Sequence, residues 1–333
     1  EKIAVQEALE SGHVHGDGPF ARRCEAWLEE HHQAHRALLT HSCTGALEMA
    51  ALLADIGPGD EVILPSFTFV STANAFVLRG ATPVFVDIRP DTLNLDEELV
   101  ASAMTSRTKA IVPVHYGGVG CAMDVLMDLA TSRGIVVIED AAQGITATWG
   151  EQPLGSIGHL GCLSFHGTKN IVSGEGGALL VNDPAYMERA EVIREKGTNR
   201  AAFLAGQVDK YTWQDVGSSF LMSELAAALL YTQLTRSREI QARRIDAWQR
   251  YQDGFEVLEE SGLARRPQTP VSVGHNAHVY YLIFDSFEAR ETVRVGLRDA
   301  GFAASFHYVP LHSSPGGRRY GRVGTSMAVT DDV

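Results

Sequence analysis

Two residues near the middle of the chain carry side chains that could do chemistry on a carbonyl compound. Asp140 closes the apolar run that begins at Ile135, and Lys169 follows a second short apolar run. A lysine amine forms a Schiff base with an aldehyde, and a carboxylate keeps a pyridine nitrogen protonated so that the ring withdraws electrons. This pairing predicts an enzyme that uses pyridoxal 5'-phosphate, with Lys169 as the catalytic residue. A lone lysine is more often a solvated surface residue, so the prediction depends on the surrounding motifs.

The neighbouring segments contain further residues suited to a flat, phosphorylated cofactor. The stretch Ser42–Leu47 opens a helix whose free N–H groups and dipole would bind phosphate, and Ser164 could add a hydroxyl. Gln143 could donate a hydrogen bond to the oxygen on the ring, and Phe69 could stack on its face. Taken singly, each of these residues also has an ordinary structural explanation. The start of the helix is typical of a helix cap, Ser164 of a strand, Gln143 of a first helical turn and Phe69 of an apolar core. Glu139 points to the opposite face of its strand and is expected to be structural.

Short apolar strands alternate with helical patterns over the first two thirds of the chain. The predicted strands are 61–65, 83–87, 110–114, 135–138, 162–165 and 177–181, and the predicted helices are 44–55, 71–79, 96–104 and 122–133. Continuous apolar strands joined by helices indicate an α/β fold whose mostly parallel central sheet is covered on both faces. Because residues 162–181 leave no room for a crossover helix, that part of the sheet is predicted to turn antiparallel. Sites in such folds lie at the carboxyl ends of the strands, where Asp140 stands.

The last third of the chain has a different pattern. Residues 223–256 read as one long helical tract, followed by a predicted strand at 277–284, a helix at 288–301 and a strand around 304–308. We therefore expect a large cofactor-binding domain over residues 1–222. Residues 223–333 are expected to form a long connecting helix and a smaller C-terminal α+β domain.

Composition narrows the class of partner. The chain of 333 residues carries 28 Lys and Arg against 41 Asp and Glu, a formal net charge of −13. This balance disfavours nucleic acid or an anionic membrane surface as the main partner. The four cysteines are widely spaced and follow no metal-binding pattern, so no metal site is expected. No apolar run approaches the ~18 residues that cross a bilayer, and we expect a cytoplasmic enzyme.

Two further patterns resemble known sites but fail in detail. Gly118-Val119-Gly120 follows a strand, but Met123 stands where a dinucleotide-binding fingerprint needs its third glycine. His31 and His35 are one helical turn apart, yet no glutamate follows His31 as in a zinc protease. A solvated helix face explains this histidine pair better than a metal site does.

Together the motifs resemble one known family, the sugar-nucleotide aminotransferases of the DegT/DnrJ/StrS group, which are fold type I pyridoxal phosphate enzymes. The resemblance runs from about Gly16 to His312. The matching stretches are Ser42–Thr44, Pro58–Val62, Thr68–Val70, Val114–Gly117, Glu139–Gln143, Ser164–His166, Lys169, Gly174–Gly177 and Tyr308–His312. Within the family, Arg194–Arg200 and Asp209–Trp213 look most like TDP-4-keto-6-deoxyglucose 4-aminotransferases.

The resemblance implies a role for each matching residue. Lys169 would be the Schiff-base lysine and proton carrier, and Asp140 would pair with the pyridine nitrogen. Gln143 would contact the ring oxygen, and Phe69 would stack on the ring. The residues implied to hold the cofactor phosphate are Thr44, Gly45 and Ser164, and the residues that could meet the substrate are Lys210, Tyr211 and His312. The substrates would be a TDP-sugar and L-glutamate, and the enzyme would be a homodimer with a shared active site.

The chain departs from the family pattern at two places. The family often has an asparagine that reaches the neighbouring subunit's phosphate, where this chain has Ser219, so that contact would be shorter or absent. The family also continues for some tens of residues past the point matching Val333, so we expect the small domain to be incomplete or abbreviated.

Three alternative functions stay open at this point: amino transfer to C3 of the sugar, a sugar dehydratase, and a regulatory relative that binds the cofactor. Lys169 argues against the dehydratase, because those relatives carry histidine at this position. The galacto or gluco configuration of the product at C4 is also open.

Overall fold

One eight-stranded sheet organises the chain, and the computed structural model describes all of residues 1–333. The strands are β1 (Arg36–Thr40), β2 (Glu61–Pro65), β3 (Thr82–Val86), β4 (Thr108–Ile111), β5 (Val136–Ala141), β6 (Thr148–Trp149), β7 (Gln152–Pro153), β8 (Leu160–Ser164), β9 (Gly177–Val181), β10 (Val273–Gly274) and β11 (Arg322–Val323). β6, β7 and β10 form a separate small sheet, and the other strands form the central one.

Helices connect these strands. They are α1 (Lys2–Glu10), α2 (Pro19–His32), α3 (Cys43–Leu53), α4 (Val70–Val77), α5 (Glu97–Ala103), α6 (Met123–Thr131), α7 (Met187–Arg194), α8 (Arg200–Leu204), α9 (Glu224–Leu234), α10 (Ser237–Gly254), α11 (Glu256–Glu260), α12 (Phe287–Asp299), α13 (Pro315–Tyr320) and α14 (Ala328–Asp332). Single 3₁₀ turns occur at Tyr116–Gly118 and Pro184–Tyr186. None of the helices combines the length and the apolar character needed to cross a membrane.

The central sheet has the order β1-β9-β8-β5-β4-β2-β3-β11. Its interior pairs, from β3 through β2, β4 and β5 to β8, are parallel, and β9 runs antiparallel to both β8 and β1. The predicted mostly parallel sheet is therefore confirmed, and so is the antiparallel turn within 162–181. The connection from β8 to β9 contains no helix, which is why β9 can only return in the opposite direction.

Both faces of the sheet are buried. One face packs against α3, α4 and α7, where Leu47, Ala50 and Phe76 are fully enclosed with the side chains of alternate strand residues. The opposite face packs against α1, α2 and α9 at one end and against α5 and α6 at the other. Asp140 and Glu139 are consecutive on β5, so their side chains enter opposite layers.

A buried ionic cluster ties the layer of α2 to β1 and α7. Arg194 is 2% exposed and contacts Glu25, Glu191 and Asp17, while Arg36 bonds Glu191 at 2.8 Å. A buried guanidinium without these carboxylates would be very costly. Within the stretch that most resembles 4-aminotransferases of TDP-sugars, Arg194 therefore has a structural function.

The C-terminal third differs from its prediction. The helical tract 223–256 is divided into α9 and α10 at Thr235–Arg236, and α12 confirms the predicted helix 288–301. The strand predicted at 277–284 is wrong, because only Ile283 makes a bridge, to Arg265, and Ala277 has a positive φ of 51°. The strand predicted around 304–308 is also wrong, since no ladder forms there. The division into domains at residues 222 and 223 stays a prediction.

Candidate active site

A cleft at the carboxyl ends of the central strands brings Asp140 and Lys169 together. Asp140 is the penultimate residue of β5 and lies opposite Cys162 of β8, on the face covered by α3. Lys169 lies in the turn that leaves β8, where its N–H donates to the carbonyl of His166 at 2.9 Å. Parallel strands end at the same edge of a sheet, so the acid and the amine, far apart in sequence, share one site.

Burial and neighbouring groups act in opposite directions on the pKa of Lys169. Burial lowers the pKa of its amine, and the neighbouring Cys43 and Asp140 partly counteract this effect. The positive charge of Lys169 in turn helps to lower the pKa of His307, after burial as the larger cause. Burial and then Lys169 also lower the pKa of His278, to about 3. Because burial is the larger effect, the amine is easier to deprotonate than that of an ordinary lysine.

Asp140 is buried, and each of its two carboxylate oxygens accepts a hydrogen bond from a different residue. Oδ2 accepts a hydrogen bond from the Thr72 hydroxyl at 2.7 Å, and Oδ1 accepts one from the Ala142 N–H at 3.1 Å. Glu139 behaves differently on the opposite face, where it accepts bonds from the amides of Gly155, Ile157 and Gly158. The structural function expected for Glu139 agrees with these contacts.

The start of α3 brings a helix N-terminus and several hydroxyl groups to one end of the cleft. The Ser42 hydroxyl caps the helix by accepting from the Gly45 N–H at 3.0 Å, and the Thr44 hydroxyl donates to Ser71 at 2.8 Å. Ser164 is buried at the end of β8 beside Gly177 of β9. A Cβ on Gly177 would overlap the backbone of Ser42 and Cys43, so the absence of a side chain lets the strand approach the helix start.

Gln143 and a layer of aromatic residues line the open side of the cleft. Gln143 accepts a hydrogen bond from the Gly117 N–H at 2.7 Å and donates to the Tyr308 hydroxyl at 3.3 Å. Burial raises the pKa of Tyr308 to about 12, so its hydroxyl stays protonated and keeps a proton to donate. Phe69 is 61% exposed at the start of α4, whereas Phe67 is buried edge-on against Tyr308. Phe69 is thus the aromatic ring of this loop that a ligand can reach.

Four other predicted residues make no hydrogen bond with Asp140 or Lys169. Lys210, Tyr211 and Ser219 are exposed and make no side-chain hydrogen bond with the cleft. His312 contacts the Ser66 hydroxyl at 2.8 Å and the Asp331 carboxylate at 3.2 Å. Ser66 is the residue that follows the end of β2.

The sequence motifs did not indicate four residues that the structure brings to the cleft. Thr72 binds Asp140, and Asn170 binds the segment containing Asn276 and His278. Isolated polar residues in a helix or loop carry no spacing signal, so only the folded chain identifies them.

The groups present fit pyridoxal phosphate. A deprotonation-prone amine suits its aldehyde, a buried carboxylate suits its ring nitrogen, and hydroxyls beside a helix start suit its phosphate. The fold and these groups are those expected of a fold type I pyridoxal phosphate-dependent aminotransferase. The model of the DegT/DnrJ/EryC1/StrS aminotransferase family matches residues 1–333, and the chain belongs to that family.

Individual relatives agree with this assignment. The chain is 37% identical over 318 residues to the spore coat polysaccharide biosynthesis protein SpsC of Bacillus subtilis (strain 168), covering 93% of this chain and 81% of SpsC. DesV of S. venezuelae, solved in complex with a ketimine intermediate, is 30% identical with a TM-score of 0.90, covering 99% of this chain and 85% of DesV. Spr1654 of Streptococcus pneumoniae, solved in its PMP form, is 28% identical with a TM-score of 0.90, covering 99% and 88% respectively.

Proposed function

We propose that the enzyme transfers the amino group of L-glutamate to C4 of a TDP-4-keto-6-deoxyhexose, giving a TDP-4-amino-4,6-dideoxy sugar. The stretches Arg194–Arg200 and Asp209–Trp213 support this substrate, because they look most like 4-aminotransferases of TDP-sugars. The similarity to a polysaccharide biosynthesis protein supports a sugar substrate in general. The observation that carries the catalytic assignment is the half-buried Lys169, with its lowered pKa, beside the buried Asp140.

Lys169 is proposed to hold the cofactor and to carry the proton. Pyridoxal phosphate supplies an aldehyde that takes up the amino group and a ring that withdraws electrons. Because burial lowers the pKa of Lys169, more of its amine is neutral and able to act as nucleophile and base. The Lys169 amine would move a proton between Cα of the amino acid and C4′ of the cofactor. It would work in reverse with the sugar ketone.

The remaining residues are proposed to orient the cofactor. Asp140 would keep the ring nitrogen protonated by presenting a negative charge that is already hydrogen-bonded in place. Gln143, with a further amide proton on Nε2, would bind the ring oxygen, and Phe69 would cover the ring. Thr44, Gly45 and Ser164 would donate hydrogen bonds to the phosphate, although Ser42 already accepts from the Gly45 N–H.

A second copy of the chain is proposed to complete each site. Tyr211 and Trp213 are 52% and 81% exposed, and Phe69 at the cleft is 61% exposed. Large apolar side chains exposed to this extent are typical of surfaces that a partner covers. We propose that the partner subunit contributes its Lys210 and Tyr211 toward the substrate and its Ser219 toward the cofactor phosphate.

The decisive experiment supplies purified enzyme with pyridoxal phosphate, L-glutamate and TDP-4-keto-6-deoxyglucose. We expect NMR of the product to show a new amine at C4 and to report its configuration. Lys169→Ala should abolish turnover and the absorption band of the lysine-bound cofactor, because no other amine has this environment. Lys109→Ala, an exposed lysine on β4, is the matched control and should leave both unchanged.

Three results would count against the proposal. Turnover of a TDP-3-keto-6-deoxyhexose, offered in parallel, but not of the 4-keto sugar would favour the alternative sugar position, and release of ammonia without a new C–N bond would favour the dehydratase. A folded Lys169→Ala variant that still transaminates would show that the catalytic lysine is misassigned.

A further inference from the structure

A chain of buried hydroxyl groups ends on the carboxylate of Asp140. The Thr72 Oγ1 lies 2.7 Å from Asp140 Oδ2, and the Thr68 Oγ1 lies 2.9 Å from Thr72 Oγ1. The three residues are 1%, 3% and 5% exposed for Thr72, Thr68 and Asp140 respectively. Neither threonine belongs to the residues assigned above to the cofactor.

The direction of these hydrogen bonds follows from chemistry. An ionised carboxylate can only accept, so the Thr72 hydroxyl must donate its single proton to Asp140. Thr72 Oγ1 then receives the bond from Thr68, whose hydroxyl is the donor at the start of the chain. The result is an oriented relay, Thr68 to Thr72 to Asp140, in surroundings that exclude water and strengthen such bonds.

The hydrogen bond from Thr72 to Asp140 is unusual for a threonine inside a helix. A threonine inside a helix commonly bonds the carbonyl one turn earlier, whereas the Thr72 hydroxyl leaves its own helix and reaches β5. The preceding residue, Ser71, accepts from the Thr44 hydroxyl at the start of α3. The first turn of α4 therefore touches both the start of α3 and the buried carboxylate.

We propose that Thr72 is a positioning residue for the cofactor, supported by Thr68. With Thr72 on Oδ2 and the Ala142 N–H on Oδ1, the carboxylate of Asp140 cannot rotate, and each oxygen keeps a lone pair for the ring nitrogen. The donated proton also stabilises the negative charge that holds that nitrogen cationic. This inference rests on the proposed function of Asp140.

The test prepares each variant without cofactor, then adds pyridoxal phosphate and measures the affinity with which the variant binds it. Thr72→Val keeps the shape of the side chain but removes the donor, and should weaken the affinity for pyridoxal phosphate about tenfold, as expected for a bond to a charged group. Thr72→Ser should restore most of the affinity. Thr68→Val should weaken it less, by about threefold, because it acts through Thr72.

A second threonine–aspartate pair provides a matched control. Thr330 is also buried, and its hydroxyl donates to Asp87 at 2.6 Å. Asp87 follows β3, roughly 14 Å from β5 across three strand spacings. Thr330→Val should lower the melting temperature of the cofactor-free protein, yet the rise in melting temperature on adding pyridoxal phosphate should match that of the wild type. Thr72→Val should reduce that rise and, at saturating cofactor, should lower kcat without raising KM for glutamate.

Unchanged cofactor affinity in folded Thr72→Val would overturn the inference. If Thr72→Val does not fold, wild-type affinity in Thr68→Val overturns it instead. An equal loss of affinity in Thr330→Val would also overturn it, because the effect would then be one of general stability. A wild-type protein that binds no pyridoxal phosphate through Lys169 would contradict the proposed function itself, which separates the two failures.

Discussion

At the scale of single residues, burial sets the chemistry of this protein as much as residue type does. Asp140 and Glu139 are adjacent carboxylates, yet one faces the cleft and the other accepts three backbone N–H groups in the opposite layer. Lys169 becomes easier to deprotonate because it is partly buried. The same effect acts on histidines, since burial lowers the pKa of His32 to about 4.

The buried histidines predict a loss of stability in acid. In the unfolded chain a histidine takes up a proton near its ordinary pKa of 6.5, whereas in the folded chain His32 takes one up only near 4 and His278 near 3. Between pH 6.5 and 4 the unfolded state therefore binds more protons, and each of these residues lowers the free energy of unfolding by about 1.4 kcal/mol per pH unit. Urea unfolding from pH 7 to pH 4 measures this slope.

His32→Leu isolates the contribution of one residue. The variant should be at least as stable as the wild type at pH 7 and should show a shallower loss of stability down to pH 4. His35→Gln, at an exposed histidine nearby, should retain the wild-type slope. An unchanged slope in His32→Leu would mean that His32 does not resist protonation in the folded protein.

At the scale of elements, the segment Asn276–Val279 connects the C-terminal third to the cleft. The Asn276 amide donates to the carbonyls of Gln143 and Ile145 at 2.7 and 2.8 Å, and Arg244 of α10 donates to the carbonyls of Ala277 and His278. A strand could not form here, because side chains already occupy the carbonyls that a ladder would use. Gly118, with φ of 78°, has no Cβ where the Asn276 side chain packs.

Asn276→Ala should affect both stability and the cofactor. Two buried carbonyls lose their donor, so the free energy of unfolding should fall by about 2–4 kcal/mol. Because one carbonyl belongs to Gln143, the affinity for pyridoxal phosphate should fall as well.

Asn182→Ala is the matched control, since Asn182 also donates to two carbonyls, of Gly155 and Gly158, away from Lys169. Urea unfolding and cofactor titration should show similar instability in both variants but weaker binding only in Asn276→Ala. Equal affinity for pyridoxal phosphate in the two variants would show that Asn276 does not connect the C-terminal third to the cleft.

At the scale of the whole molecule, one chain leaves several apolar surfaces open. No residue of α12 is buried, and the aromatic side chains of Phe69, Tyr211 and Trp213 are largely exposed. A net charge of −13 makes nonspecific aggregation less favourable, so these surfaces are better explained by a specific partner.

Light scattering should therefore give a mass twice the 36.1 kDa of the chain. On dilution, activity should fall in parallel with the fraction of dimer, because each site would lack the residues from its partner. The fluorescence of Trp213 should move to longer wavelength over the same concentration range. A monomer with full activity would disprove the shared site.

Much of this architecture could be predicted before any coordinates. Residues 61–65 and 177–181 form strands as predicted, because continuous apolar runs are buried on both faces of a central sheet. Strand β1 was missed, since Arg36–Thr40 is short and gains its identity only by pairing with β9. The errors at 277–284 and 304–308 have a similar cause: strand propensity was present, but pairing partners were absent.

The sequence by itself determined which reactive groups are present, namely a lysine amine, a carboxylate and the hydroxyls at a helix start. It also determined the α/β class through the periods of its apolar residues. Only the tertiary structure decided which residues support that chemistry. Thr72, Asn276 and the lowered pKa of Lys169 arise from contacts between distant segments, and such contacts leave no trace in local spacing.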